Sequence, residues 1–189
     1  MIILLNKYKS WLVLILLLGC TVSTNNHAMV EYSENDKVVD DFIHDGFIPS
    51  ILFSNQKDKF VKILIKHFGS PILTKMEIVS DSRRSSQKNE ESTYHYDGLV
   101  IKTSTPLISK KLTTWVTYVH LTSDKYQLRY GLNIGSKRNE FVKMLGHTYI
   151  NSQFKLKYQT SEHASTGNVE VIFDKSLKAK EITWEFYAD

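Results

Sequence analysis

Two short stretches, Phe60-Val61-Lys62-Ile63-Leu64 and Phe141-Val142-Lys143-Met144-Leu145, repeat one order of residue types 81 positions apart. Phe and Leu at i and i+4 fall on one face of a helix, so each stretch reads as the apolar stripe of an amphipathic helix. The segments after the two copies are also alike. After the first come β-rich runs ending in "TTWVTYVHLTS"; after the second come "FKLKYQT", "NVEVIFD" and "AKEITWEFYA". Trp115 and Trp184 stand at similar late places in the two halves. This order predicts an α+β fold of two tandem helix-plus-antiparallel-sheet units, at residues 37–131 and 132–189.

Local signals place the elements. Val38, Val39, Phe42 and Ile43 have helical spacing, with Asp36 as N-cap and Gly46 and Pro49 as the stop. Ser54 is placed to cap the next helix, whose apolar side reads Phe60, Ile63, Leu64, His67 and Phe68 before Gly69 and Pro71 end it. "STYHYDGLVIKT" predicts a β-hairpin turning at Asp97-Gly98. In the Trp115 strand, alternation puts Trp115, Thr117, Val119 and Leu121 on one side and Val116, Tyr118 and His120 on the other. "DKYQLRYGLNIG" reads as a further strand, or a strand and a turn, leading to the second helix.

The amino-terminal segment carries a different message. Lys7 and Lys9 precede an unbroken apolar run, Trp11–Leu18, far shorter than the roughly 20 residues that span a bilayer. A positive start, a short apolar core and small residues at its end are the layout of a signal peptide, here 1–19. The sequence Leu17-Leu18-Gly19-Cys20 resembles the lipobox of bacterial lipoproteins. That resemblance implies cleavage before Cys20, diacylglycerol on its thiol and attachment to the membrane by acyl chains. Several chains are needed for stable anchoring. Thr21, where an Asp would favour retention, implies the outer membrane. Cys20 is the only cysteine, so no disulfide is available and the exported domain depends on its hydrophobic core. Residues 20–36 are polar and read as a flexible tether. Of 24 Lys and Arg, Lys7 and Lys9 leave with the signal, so 22 basic residues face 20 acidic ones, a net of +2. That balance, together with secretion, argues against nucleic acid as a partner.

A second resemblance lies in the domain. "GLNIGSKRNEFVKMLG", followed by strands and ending in "EITWEF", is similar to the β-lactamase-inhibitor-protein-like superfold, which includes small outer-membrane lipoproteins of the SmpA/OmlA type. Gly131, Gly135, Glu140, Leu145 and Gly146 match its turn-and-helix pattern. The resemblance implies a domain that binds another envelope or periplasmic protein and is not an enzyme. The chain departs from the pattern in its polar insert at 80–92, "SDSRRSSQKNEES", and in lacking the disulfides of the secreted inhibitors.

No constellation of catalytic groups stands out. His27, His44, His67, His95, His120, His147 and His163 are scattered singly, without an i, i+4 pair; only His95 and His120 would meet if their strands paired. No G-x-S-x-G is present. Asp97 belongs to a turn, and Glu140 sits where a reciprocal cap to the Ser136 or Lys137 backbone is expected. No catalytic residue, cofactor or metal is therefore assigned. The insert reads as a solvated hairpin tip. The aromatic set Tyr94, Tyr96, Trp115, Tyr118, Tyr126 and Tyr130 is the candidate partner-binding surface, since half of the strand aromatics must point away from a core. Packing beneath a covering helix is the competing account for them. The expectation is a lipid-anchored, non-catalytic protein-binding module. An inhibitor or immunity protein against a secreted or lytic enzyme, and a small-ligand carrier or enzyme, are the alternatives.

Overall fold

The computed structural model describes residues 34–47, 53–54, 57–80, 87–107, 113–146, 148–160 and 167–187. The signal segment, Cys20 and the tether up to residue 33 lie outside the described residues.

The first helix, α1, spans Glu34–Asp45. It begins before the expected cap, so Asp36 lies in its first turn rather than ahead of it; a carboxylate there suits the positive end of the helix dipole. Val39, Phe42 and Ile43 form its buried stripe, and Gly46 N–H closes the end on Phe42 O at 3.0 Å. A short strand, β1 (Phe53–Ser54), pairs antiparallel with the Trp115 strand through Phe53↔Trp115 and Ser54↔Thr114. Ser54 is thus a strand residue, three positions ahead of the first residue of the second helix, α2 (Lys57–Phe68). Phe60 and Leu64 of α2 are buried and Phe68 is half-buried. Ile63 and His67, expected on the same side, are exposed: they sit at i+3 and i+7 from Phe60, at the margin of the stripe.

Four strands follow: β2 (Leu73–Ser80), β3 (Lys88–Tyr96), β4 (Leu99–Pro106) and β5 (Thr114–Leu121). β3 and β4 make the expected hairpin at Asp97-Gly98, where Gly98 has φ +76°. The carboxyl-terminal part of the polar insert is not a loop. Lys88–Ser92 belong to β3 and pair with β2, a strand that the local sequence signals did not mark. The chain then crosses 122–137 without the expected strand. Its regular part is a 3-10 turn, Arg129–Gly131, with Tyr130 at φ 61°. Leu128 and Leu132 anchor this crossing in the core, and Arg129 N–H donates to Gly46 O at 2.8 Å. The third helix, α3 (Arg138–Leu145), buries Phe141 and Leu145. Glu140 accepts the Lys137 backbone N–H at 2.8 Å, the reciprocal cap expected of it. Four more strands complete the chain: β6 (Ile150–Asn151), β7 (Lys155–Gln159), β8 (Gly167–Phe173) and β9 (Ala179–Phe186).

All nine strands join one antiparallel sheet, ordered β2-β3-β4-β5-β9-β8-β7-β6, with β1 alongside β5. The fold is α+β and mostly sheet. Two four-stranded meanders, each preceded by a helix, meet through their last strands, with Val119 opposite Trp184 and Leu121 opposite Ile182.

The three helices cover one face of this sheet. Phe42 of α1 lies 5.8 Å from Trp184, Phe68 of α2 lies 5.6 Å from Tyr96, and Phe141 of α3 lies 5.7 Å from Phe173. Trp184, at the seam, also donates its Nε1–H to Phe42 O at 3.3 Å. A single apolar cluster runs from Tyr94 and Leu99 through Val119, Leu121 and Trp184 to Val171 and Tyr158.

One irregularity sets which residues face this core. Lys102 pairs with Tyr118 but Thr103 pairs with Val116, so Thr117 is the extra residue of a β-bulge. A bulge reverses the phase of alternation. Val116 therefore points into the core along with Val119 and Leu121, and Trp115 and Thr117 do not share their side as expected.

Candidate binding face

The second face of the sheet is built from the residues that alternate with the core set. Antiparallel partners lie on the same face, so the register assembles it in rows. One row runs His95, Val100, His120, Thr183, Glu170 and Lys157; the next runs Thr93, Lys102, Tyr118, Glu185, Asn168 and Gln159. Each row crosses β3, β4, β5, β9, β8 and β7. The face is thus continuous over both meanders, and its centre is the β5–β9 seam.

Polar contacts lie at the seam and on the strands beside it. His120 Nε2 lies 3.0 Å from Glu181 Oε1, off the line of a hydrogen bond. Lys102 Nζ stands 5.1 Å from the centre of the Tyr118 ring, within cation–π range. Burial raises the Tyr118 phenol above its usual titration range; a hydrogen bond with Thr183 works against this, and Glu181 and Glu185 add to it. Asn168 Nδ2 donates to Glu185 Oε2 at 3.1 Å and to the Tyr187 hydroxyl at 2.6 Å. Lys155 and Glu170 pair at 2.9 Å. These groups hold one another in place, and both signs of charge alternate over the face.

The structure divides the six aromatic candidates. Tyr94 and Tyr96 are core residues on the helix-covered face, and Tyr96 packs against Phe68. They are not available to a partner, which corrects the expectation for both. Burial drives the Tyr96 phenol up to about 12. Trp115 and Tyr118 are half-buried on the second face, open in that none of the described helices covers it. Tyr126 lies off the sheet: its ring meets Phe68 edge-on at 5.7 Å and its hydroxyl donates to Asp97 O at 3.1 Å. Tyr130 is exposed in the 3-10 turn, 6.4 Å from Phe42, and its hydroxyl reaches Asp41 at 3.5 Å. Cys20 lies outside the described residues.

Catalytic groups are not gathered here. His95 and His120 do not meet, because β4 runs between them with Val100 opposite each. Among the described residues no group of three or more His, Cys, Asp or Glu side chains is placed to hold a metal ion. Asp97 pairs with Lys125 at the hairpin turn. The His120–Glu181 pair has the elements of a base and its orienting carboxylate, yet among the described residues His120 Nε2 has no hydrogen-bond partner. Lys102, Glu181, Thr183, Glu185 and Asn168 belong to this face without having stood out in the sequence. For Glu181, Thr183 and Glu185 the signal was present in "AKEITWEF", where they alternate with Ile182 and Trp184.

No protein-family model matches this chain, and no curated protein sequence does. Two solved structures are similar in part. One is an extracellular protein containing a SCP domain from Bacillus anthracis, at 12% identity and a TM-score of 0.36; the match covers 66% of this chain and 42% of that one. The other is a DUF4309 family protein, YjgB, from Bacillus subtilis, at 14% identity and a TM-score of 0.37, covering 82% of this chain and 97% of that one. Likenesses at this level fix neither fold nor function. Among the described residues no helix is long and apolar enough to cross a membrane.

Proposed function

We propose that this chain is a lipid-anchored envelope lipoprotein that binds another envelope protein through the open face of its sheet, without catalysing a reaction. The observation that carries the reading is the face centred on Trp115, Tyr118, His120 and Lys102. It extends over both meanders, and the three described helices all lie on the other side. Half-buried aromatic rings amid polar, mutually paired groups are the make-up of a protein-binding surface. Two tandem units of the β-lactamase-inhibitor-protein-like kind fit the mirror-like strand order. In that order Phe60 and Leu64 of α2 and Phe141 and Leu145 of α3 are buried alike. The anchor rests on the lipobox at Cys20, and Thr21 beside it supports an outer-membrane position facing the periplasm.

Capture from detergent-solubilised membranes, read by mass spectrometry, tests the binding surface. Tyr118→Ala and Trp115→Ala should each weaken capture by about 2 kcal/mol or more, with circular dichroism unchanged. Capture that survives both substitutions refutes the face. For the anchor, Cys20→Ser should leave the detergent phase on partitioning; retention there refutes lipidation.

A further inference from the structure

The free edge of the sheet at β2 points to a second copy of this chain. β2 is the end strand, paired on one side only among the described residues. Unlike every other long strand it is exposed on both faces: Met76 and Ile78 are each 65% exposed and Leu73 47%. A long apolar edge strand is a template for further strand pairing, and proteins that keep one unpaired usually blunt it.

The backbone fixes which residues offer that edge. Leu107 N–H donates to Lys88 O at 2.9 Å, so the even-numbered residues of β3 bond to β4 and the odd-numbered ones bond to β2. In the β2–β3 register, Leu73 lies opposite His95, Lys75 opposite Thr93 and Glu77 opposite Glu91. Those odd residues of β2 spend their N–H and C=O groups on β3. Thr74, Met76 and Ile78 turn theirs outward.

An antiparallel partner strand must therefore set even residues against even residues. Two copies of β2 satisfy this when centred on Met76, and the side chains then complement one another. Thr74 meets Ile78 of the other copy, Lys75 meets Glu77, and Leu73 meets Val79. The two Met76 and two Ile78 side chains gather on one face, and two Lys75–Glu77 pairs form on the other. The neighbouring allowed registers bring Lys75 against Lys75 or Glu77 against Glu77. Charge thus selects one register, because like charges directly opposite across strands are unfavourable.

We infer that the chain forms a two-fold symmetric dimer by antiparallel β2–β2 pairing centred on Met76. The interface is isologous, as two-fold symmetry requires. It extends the sheet across both copies and sets their open faces side by side.

The test is sedimentation of the full-length chain in density-matched detergent. The parent should dimerise with increasing concentration. Lys75→Glu alone and Glu77→Lys alone, both at exposed positions, should each weaken dimerisation by about tenfold or more, since either change makes both cross-strand pairs repulsive. Mixing the two single variants should restore a heterodimer, and the double variant Lys75→Glu/Glu77→Lys should restore the homodimer. A chain that stays monomeric at about 100 μM, a dimer indifferent to the single changes, or a failure of both restorations overturns the inference.

Discussion

Phe42→Ala tests whether the amino-terminal helix is part of the domain or an appendage to it. The Phe42 side chain is fully buried, with its ring 5.8 Å from Trp184 at the seam and 6.4 Å from Tyr130. Its carbonyl, which accepts from Trp184 Nε1 and Gly46 N, survives the substitution. The perturbation therefore removes ring packing and leaves the hydrogen bonds, and a buried Phe→Ala change costs about 3–5 kcal/mol. That is a large share of the roughly 5–15 kcal/mol that holds a domain together. At about 2–4 °C per kcal/mol for a domain of this size, the midpoint should fall by about 6–20 °C. Thermal unfolding followed by circular dichroism measures the midpoint, and urea unfolding followed by tryptophan emission measures the free energy, with Val38→Ala on the half-buried flank of the same helix as the comparison. The denaturant slope should stay constant if only stability has changed. A loss under about 1 kcal/mol for Phe42→Ala, or one no larger than that of Val38→Ala, would show that α1 does not cover the seam.

Gly98 and Gly69 share a positive φ, +76° and +77°, but differ in surroundings. A Cβ at Gly98 would lie 2.4 Å from Ser123 Cβ, whereas one at Gly69 meets nothing within 4 Å. Gly69→Ala should cost about 1–2 kcal/mol of backbone strain and Gly98→Ala at least about 1 kcal/mol more, measured by denaturant titration; equal losses would refute the contact. Tyr96 titrates at about 12 instead of 10.0 chiefly because burial disfavours its anion. The neutral phenol is thus favoured by folding, and its contribution to stability, full below pH 10, should be lost as pH rises towards 12; ultraviolet phenolate absorbance at Tyr96 appearing at pH 10 in the folded protein would contradict this. Asp174 is held below its ordinary 3.8 by hydrogen bonds from the Lys178 backbone and from Ser176. Its contribution is present above that value and lost as pH falls through the lowered one, and carboxyl NMR titration should show the depression, which Ser176→Ala should reduce.

Local chemistry wrote much of this fold into the chain. Asp97-Gly98 specified its hairpin because the dipeptide itself supplies the positive φ. Phe60 with Leu64, and Phe141 with Leu145, specified two helices because the 3.6-residue period is a property of the helix alone. Glu140 specified its own cap for the same reason of short range. Alternation likewise sorted the residues of unbroken strands into two sets, though it missorted Trp115, Val116 and Thr117 before the bulge in β5, and it is indifferent to which set turns inward. That choice waits on where the helices lie: Phe68 of α2 claims Tyr96 for the core, and the bulge at Thr117 leaves Trp115 and Tyr118 together on the open face. Ser54 had the composition of a cap and became a strand residue because β5 lay within reach. β2 escaped notice because a strand exposed on both sides carries no burial pattern; only pairing with β3 makes it a strand. Turns, helix stripes and caps are decided within a few residues of chain, whereas facing and pairing depend on partners distant in sequence, and those exist only once the sheet has closed.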